Sequence, residues 1–327
     1  MKATHALAER WHFLYTYRNG RAMRPVFRAL TTHGQEGKHM TTNDTADGNT
    51  YIFDAESPTE LARLINQDAL TTRAMGGLFS GLLPQQIAGL HQVLDLACGP
   101  GGWVLDVAFA FPDIEVAGID LSYSMVGYAN ARASSQGLTN ASFGVMDITK
   151  PLDLADESFD LLNVRFVGGV LLRENWAPFI AECTRVLRHG GILRLTESVD
   201  WGAGTGPTFE QMAGLLNQAA WRLGYGFSPD GRTLGLTPML PRLLRTAGYQ
   251  HIQLQTHVME QSAETEYWAD CYRNYEVAYS LLQPFLVKAG VIAQEDLSRL
   301  YQQMLIEMHY DDFCALWHFT SVWGEKP

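Results

Sequence analysis

The run Val93-Leu94-Asp95-Leu96-Ala97-Cys98-Gly99-Pro100-Gly101-Gly102-Trp103 decides how this chain is read. An apolar stretch ends in a carboxylate, two glycines one residue apart follow, and apolar spacing resumes at Val104, Leu105, Val107 and Ala108. That is the pattern of a buried strand, a tight turn and a helix beginning beneath a ligand. Glycine suits such a turn because the backbone takes unusual angles and the ligand must come close to the main chain. The ligand could be a dinucleotide or a nucleoside joined to an amino acid. A dinucleotide fingerprint, G-x-G-x-x-G/A, would need a third small residue at position 104, which is Val104. Pro100 also lacks an N–H that would otherwise help to cradle a pyrophosphate. Asp95, four residues before the first glycine, is placed to serve the amino group of a methionine-like moiety. The loop reads as nucleoside-binding, and not as an NAD loop.

Composition narrows the class. The chain has 327 residues, 46% of them hydrophobic and 18% charged, with a net charge of −11. It is long enough to bury a large core, and its acidity argues against a nucleic-acid backbone as partner. No apolar run reaches the roughly 18–20 residues that a membrane-spanning helix needs. Cys98, Cys183, Cys271 and Cys314 are far apart with no C-x-x-C, so neither a disulfide framework nor a metal site is expected. Cys98 reads as a small residue fitting the turn rather than a nucleophile. These features describe a reduced, cytoplasmic enzyme.

Residues 1–50 form a basic, then polar, N-terminal extension. Lys2, Arg10, Arg18, Arg21, Arg24, Arg28 and Lys38 face only Glu9 and Glu36, and a polar stretch runs from Thr41 to Thr50. The segment lacks the apolar stretch of a secretory signal. Met40 would make a natural start, so residues 1–39 are expected to be a poorly ordered extension, with a transit peptide or a basic docking arm as the alternatives. From Ser57 a helix is expected, with Ser57 as N-cap, Pro58 in the first turn and Glu60 completing a capping box. A second short helix is expected over 70–82, before Pro84.

Beyond the glycine loop, strand and helix alternate. Strands are expected at 115–119, 141–146, 159–164 and 191–196, and helices at 123–135 and 176–187. This alternation implies a doubly wound, mostly parallel sheet with helices on both faces. Asp95, Asp120, Asp147 and the stretch Asn163-Val164-Arg165 then fall at the carboxyl ends of strands, where ligands bind in such sheets. Residues 51–200 form this core. Residues 201–327 add helices at 208–223, 239–247, 264–286 and 294–308, and antiparallel strands at 251–258 and 315–323, building a cap that selects the substrate.

The Asp95–Gly101 loop, the acid Asp120 ending the next strand, Met146-Asp147-Ile148, and the turn Arg185-Val186-Leu187-Arg188-His189-Gly190-Gly191 occur in a fixed order. In that order they resemble the motifs of the class I S-adenosylmethionine-dependent methyltransferases, and in particular the small-molecule branch that includes the quinone-biosynthesis enzymes. The resemblance implies a seven-stranded Rossmann-like sheet and S-adenosyl-L-methionine as cofactor. It implies that Ala97, Gly99 and Gly101 pass under the methionine part and that Asp95 meets the ammonium. Asp120 would accept from the ribose hydroxyls. Asp147 would accept from the adenine amino group, with Leu121 and Ile148 on the ring faces. Asn163 and Arg165 would line the pocket, and Arg63 and Gln67, one helical turn apart, would close over it.

Methyl transfer from a sulfonium needs alignment and exclusion of water more than it needs an acid or base, so no catalytic residue is assigned. Glu197, at the exit of the fifth strand, is the best candidate for orienting or deprotonating a substrate. Trp268, Tyr272, Tyr275 and Tyr279 lie on one helical face, as core or as a pocket wall, and Trp201, Trp221, Tyr225 and Phe227 fall in the cap. The expected acceptor is a small, aromatic or lipophilic molecule. Alternatives are a catalytically silent S-adenosylmethionine-binding or scaffold protein, an NAD-dependent oxidoreductase, and a nucleic-acid methyltransferase. The last lacks a base-flipping motif at Asn163-Val164-Arg165-Phe166. The oligomeric state is not legible.

Overall fold

The computed structural model describes residues 49–327, which fall within one unit of the chain. The expectations for residues 1–48 lie outside the described residues. Eight strands form one sheet: β1 Gln92–Leu96, β2 Glu115–Asp120, β3 Ala141–Val145, β4 Phe159–Arg165, β5 Leu187–Ser198, the two-residue β6 Ala203–Gly204, β7 Gln250–Glu260 and β8 Ala315–Glu325. Their order is β3-β2-β1-β4-β5-β8, with β7 on the far side of β8 and β6 continuing beside β8 past the end of β5. Strands β1 to β5 run parallel, and β8 is antiparallel to both β5 and β7. This is the doubly wound, mostly parallel sheet that the sequence implies. The seven long strands match in number, and β6 is the addition.

The helices are α1 Pro58–Ala74, α2 Pro84–Ala88, α3 Gly102–Ala110, α4 Tyr123–Ser135, α5 Trp176–Val186, α6 Pro207–Arg222, α7 Leu240–Thr246, α8 Trp268–Leu281, α9 Gln283–Lys288 and α10 Gln294–Glu307. Val93, Leu94 and Leu96 on β1 are all fully buried, because a central parallel strand is covered on both faces and reads as a continuous apolar run. Trp103, Val104, Val107 and Ala108 carry α3 onto that core. The strand order reverses at β1, which has β2 on one side and β4 on the other. A crevice opens at such a switch point, beyond the carboxyl ends of the strands.

Two local expectations change. Ser57 does cap α1, its side chain accepting from the Glu60 N–H, but the Glu60 carboxylate is buried against Arg63 and Tyr51 instead of reaching back to complete a capping box. The short helix expected over 70–82 is absent: α1 itself runs to Ala74, and Gly76, Gly77 and Gly81, all with positive φ, carry an irregular turn. Pro84 opens α2 because its ring presets the first helical φ and its missing N–H costs nothing there.

Candidate active site

A cavity lies over the carboxyl ends of β1, β2, β4 and β5, roofed by α1, α8 and the segment entering α1. The glycine loop forms its floor. Ala97 and Gly99 adopt left-handed backbone angles (φ +57° and +54°), and the Cys98 N–H bonds to the Ile119 carbonyl on β2 at 2.9 Å. A Cβ on Gly99 would meet only Leu64, at 3.6 Å, so its bare face is turned to the cavity. Gly101 differs. It lies below the cavity wall, and a Cβ there would stand 2.5 Å from Phe143 and 2.8 Å from Ala129. Its smallness serves helix–sheet packing at the start of α3 rather than contact with a ligand.

The three strand-end acids converge on this cavity. Asp120 accepts the Gly99 N–H at 2.8 Å and the Ser122 N–H at 3.0 Å, one on each oxygen, and so ties the end of β2 to the glycine loop. Burial raises its pKa, and those N–H groups oppose the rise. The carboxylate has lone pairs beyond those two bonds for further donors. Asp147 spends one oxygen on Thr149, backbone and hydroxyl, at 2.8 and 2.7 Å. Leu121 and Ile148 stand beside these two acids in the cavity wall.

Asp95 is nearly fully buried, and its Oδ1 accepts from the Asn163 amide at 2.7 Å. Burial pushes its carboxyl up to about 7, against the pull of the Arg165 charge and the Asn163 hydrogen bond. Asn163 itself stands behind the cavity. Its Oδ1 accepts from Arg194 Nε at 2.9 Å, making a buried chain Asp95–Asn163–Arg194 across β1, β4 and β5. Arg194 also donates to the Leu78 carbonyl at 2.8 Å, and burial holds its guanidinium down at about 9. Asn163 is therefore placed to orient Asp95, not to touch a ligand.

Arg165 does line the cavity, with its guanidinium on the Asp68 carboxylate and on Thr72 Oγ1 at 3.1 Å. Gly102 makes room for Asp68: a Cβ there would fall 1.9 Å from its Oδ2. Arg63 and Gln67 line the roof as one network. Arg63 grips both oxygens of Glu60 at 2.8 and 2.6 Å and bonds Gln67 Oε1 and Asn274 Oδ1, while Tyr51 Oη donates to Glu60 at 2.6 Å. Sequence reasoning missed Tyr51, Glu60, Asp68 and Asn274. Only Glu60 and Asp68 carried a signal, as acids facing inward on a helix whose arginine was already suspected.

The other end of the cavity is apolar and aromatic. Phe166, left-handed at φ +57°, stacks on Trp317 at 5.4 Å between ring centroids. Tyr275 stacks on Tyr279 at 5.4 Å, and Trp201 and Tyr225 complete the wall. The aromatic stripe on α8 thus splits. Tyr275 and Tyr279 face the cavity, while Trp268 and Tyr272 pack on each other and on His309. Trp221 lies under Arg173, whose guanidinium is 3.8 Å from the ring centroid. Glu197 sits among these groups, 3% exposed, accepting the Gly168 N–H at 3.0 Å, and burial pushes its carboxyl up to about 8.

The family comparison meets this geometry at the glycine loop. Residues 93–191 match the model of a methyltransferase domain, from the second residue of β1 to the start of the buried part of β5. Over these residues the chain is similar to a methyltransferase domain. Those residues include the glycine loop, Asp120, Asp147, Asn163, Arg165 and Phe166, while Arg63, Gln67, Glu197 and the rest of the aromatic wall lie outside them. The chain is 30% identical over 165 residues to methyltransferase pytC of Aspergillus terreus, covering 49% of this chain and 46% of that one. It is 29% identical over 148 residues to a probable (S)-tetrahydroprotoberberine N-methyltransferase 2 of Papaver bracteatum, covering 45% and 38%. It is 33% identical over 133 residues to the ubiquinone/menaquinone biosynthesis C-methyltransferase of Syntrophotalea carbinolica, covering 39% and 50%. The chain thus spans half or less of the length of these curated relatives. Among solved structures, a phosphoethanolamine N-methyltransferase 2 of Haemonchus contortus superposes with a TM-score of 0.44 and 18% identity, over 84% of this chain and 60% of that one.

Proposed function

We propose that this chain transfers a methyl group from S-adenosyl-L-methionine to a small, aromatic or lipophilic acceptor. The observation that carries the reading is the convergence of the Gly99 floor, Asp95, Asp120 and Asp147 in one cavity of the methyltransferase domain. The cofactor supplies an electrophilic methyl group on a sulfonium with a good leaving group. Every other task falls to the chain. Asp120 would accept from the ribose hydroxyls with the lone pairs its backbone partners leave. Asp147 would receive the adenine amino group, with Leu121 and Ile148 packing on the ring. Asp95, oriented by Asn163, would meet the ammonium, and Ala97 and Gly99 would let the backbone approach.

Arg63 and Gln67 act from the roof. Both are bound to Glu60 or to each other, so they hold the wall above the cofactor in place while the Arg63 charge faces the site. Arg165, anchored by Asp68, holds α1 against the end of β4. The aromatic wall from residues 201–327 selects an apolar acceptor and excludes water, which is what alignment of nucleophile, methyl and sulfur requires. Glu197, in the cavity lining, would take up the acceptor's proton. Among the described residues no helix is long and apolar enough to cross a membrane, and no group of three or more His, Cys, Asp or Glu side chains could hold a metal ion.

The test is turnover. Purified protein, S-adenosylmethionine and a panel of aromatic and lipophilic amines, phenols and activated carbon acids should yield a methylated product and S-adenosylhomocysteine. A protein that binds the cofactor tightly but methylates no member of a broad panel would favour the silent, scaffold alternative.

A further inference from the structure

Glu197 closes β5 in an apolar, aromatic part of the cavity, and the groups that oppose its burial are backbone N–H groups of Val167 and Gly168. Among the described residues no cationic side chain shares it. Arg165, on the neighbouring strand, is committed to Asp68 and Thr72. Asp200, three residues on, lines the same cavity, its carboxyl raised by burial and eased by the Gly202 N–H and the charge of His318. Around these acids stand the stacked pairs Phe166–Trp317 and Tyr275–Tyr279, with the ring of Trp201 beside them. Phe166 stacks on Trp317 from a left-handed backbone, a conformation uncommon for a bulky residue.

Resting on the methyl-transfer reading above, we infer that the acceptor's nucleophile is an amine nitrogen, which enters as an ammonium facing Glu197 and the aromatic rings around it. An acid without a cationic partner and a wall of π faces both attract a cation, the first by charge and the second by the ring quadrupole. The same wall repels a carboxylate or phosphate, and a neutral alcohol would offer Glu197 a hydrogen bond without the attraction of a full charge.

The chemistry balances. Glu197, protonated in the empty site at neutral pH, gives up its proton to solvent when the ammonium binds. The bound ammonium then returns one N–H proton to the Glu197 carboxylate, which frees the nitrogen lone pair. That pair forms the N–CH3 bond as the S–CH3 bond breaks, and the bonding electrons leave on sulfur as a thioether. The product is a methylated ammonium beside a neutral Glu197.

The experiment uses small probes that do not depend on the acceptor's shape. Protein saturated with S-adenosylhomocysteine is titrated calorimetrically with benzylamine, benzyl alcohol and benzoate at pH 7, in buffers of different ionisation enthalpy. Benzylamine should bind about tenfold or more tightly than benzyl alcohol, a difference of about 1.4 kcal/mol, and should release close to one proton. E197Q, which mimics the neutral acid, should keep its affinity for S-adenosylhomocysteine and lose both the preference and the proton release. E197D should restore part of each. Equal binding of the alcohol or benzoate, no binding of benzylamine, or an amine preference that survives in E197Q would overturn the inference. Failure of S-adenosylhomocysteine itself to bind would instead strike the methyl-transfer reading.

Discussion

Asp95 and Glu197 are held near neutrality by the same cause, burial without a full counter-charge. Both keep a proton in the folded protein at a pH where the unfolded chain has lost it. The stability this lends is fully present below pH 4 and is lost as pH rises through about 7 and about 8. The cofactor-free protein should therefore melt at a lower temperature at pH 8.5 than at pH 5.5, and thermal melts across that window check it. Binding of a ligand ammonium pulls the Asp95 proton off, so affinity for S-adenosylmethionine should rise as pH rises through 7. Affinity that is flat with pH from 6 to 8 would remove Asp95 from that role. Asn163→Ala tests the chain behind it. It leaves Asp95 and Arg194 without their shared partner and should cost about 1–3 kcal/mol of stability, read by denaturant unfolding.

Two glycines of one loop separate function from packing at the level of the element. Gly101→Ala drives a Cβ into Phe143 at 2.5 Å from a left-handed backbone, so it should destabilise the fold by about 1–3 kcal/mol. Gly99→Ala meets only Leu64, at an ordinary contact distance of 3.6 Å, and should cost about 1–2 kcal/mol of backbone strain, with the larger loss falling on cofactor affinity. Melting temperature and titration of each variant distinguish the two, and equal effects on both properties would contradict the assignment. The spacing of this loop was legible because a strand–turn–helix leaves a local signature. The crowding at Gly101 was not legible, since the ring that stands against it comes from β3, remote in sequence. The long strands and most helices were legible for the same local reason. The end of α1 was not, because positive-φ glycines rather than Pro84 set it.

At the scale of the whole molecule, α8 from the C-terminal half closes on α1 from the other end of the described chain. Asn274 accepts from Arg63 at 3.2 Å, and the Asn66 amide donates to the Asp270 carbonyl at 3.1 Å. These contacts join the cap to the roof of the cavity. Asn274→Ala should raise the KM for the acceptor several-fold while the melting temperature changes little, because it loosens one link and empties no core. Sequence patterning showed α8 as an aromatic helix but could not tell core from wall, since that depends on where the whole cap lands. The roof acids Glu60 and Asp68 share a helix with Arg63, but the partners Tyr51 and Arg165 are set only by the fold.

The central claim is tested most directly by calorimetric titration of the protein with S-adenosylmethionine and, separately, with NAD, repeated on Asp120→Ala. The account predicts saturable binding of S-adenosylmethionine alone, weakened in the variant by about 1–3 kcal/mol as two ribose hydrogen bonds are lost. Binding of NAD, or an affinity for S-adenosylmethionine unchanged by loss of the Asp120 carboxylate, would contradict it.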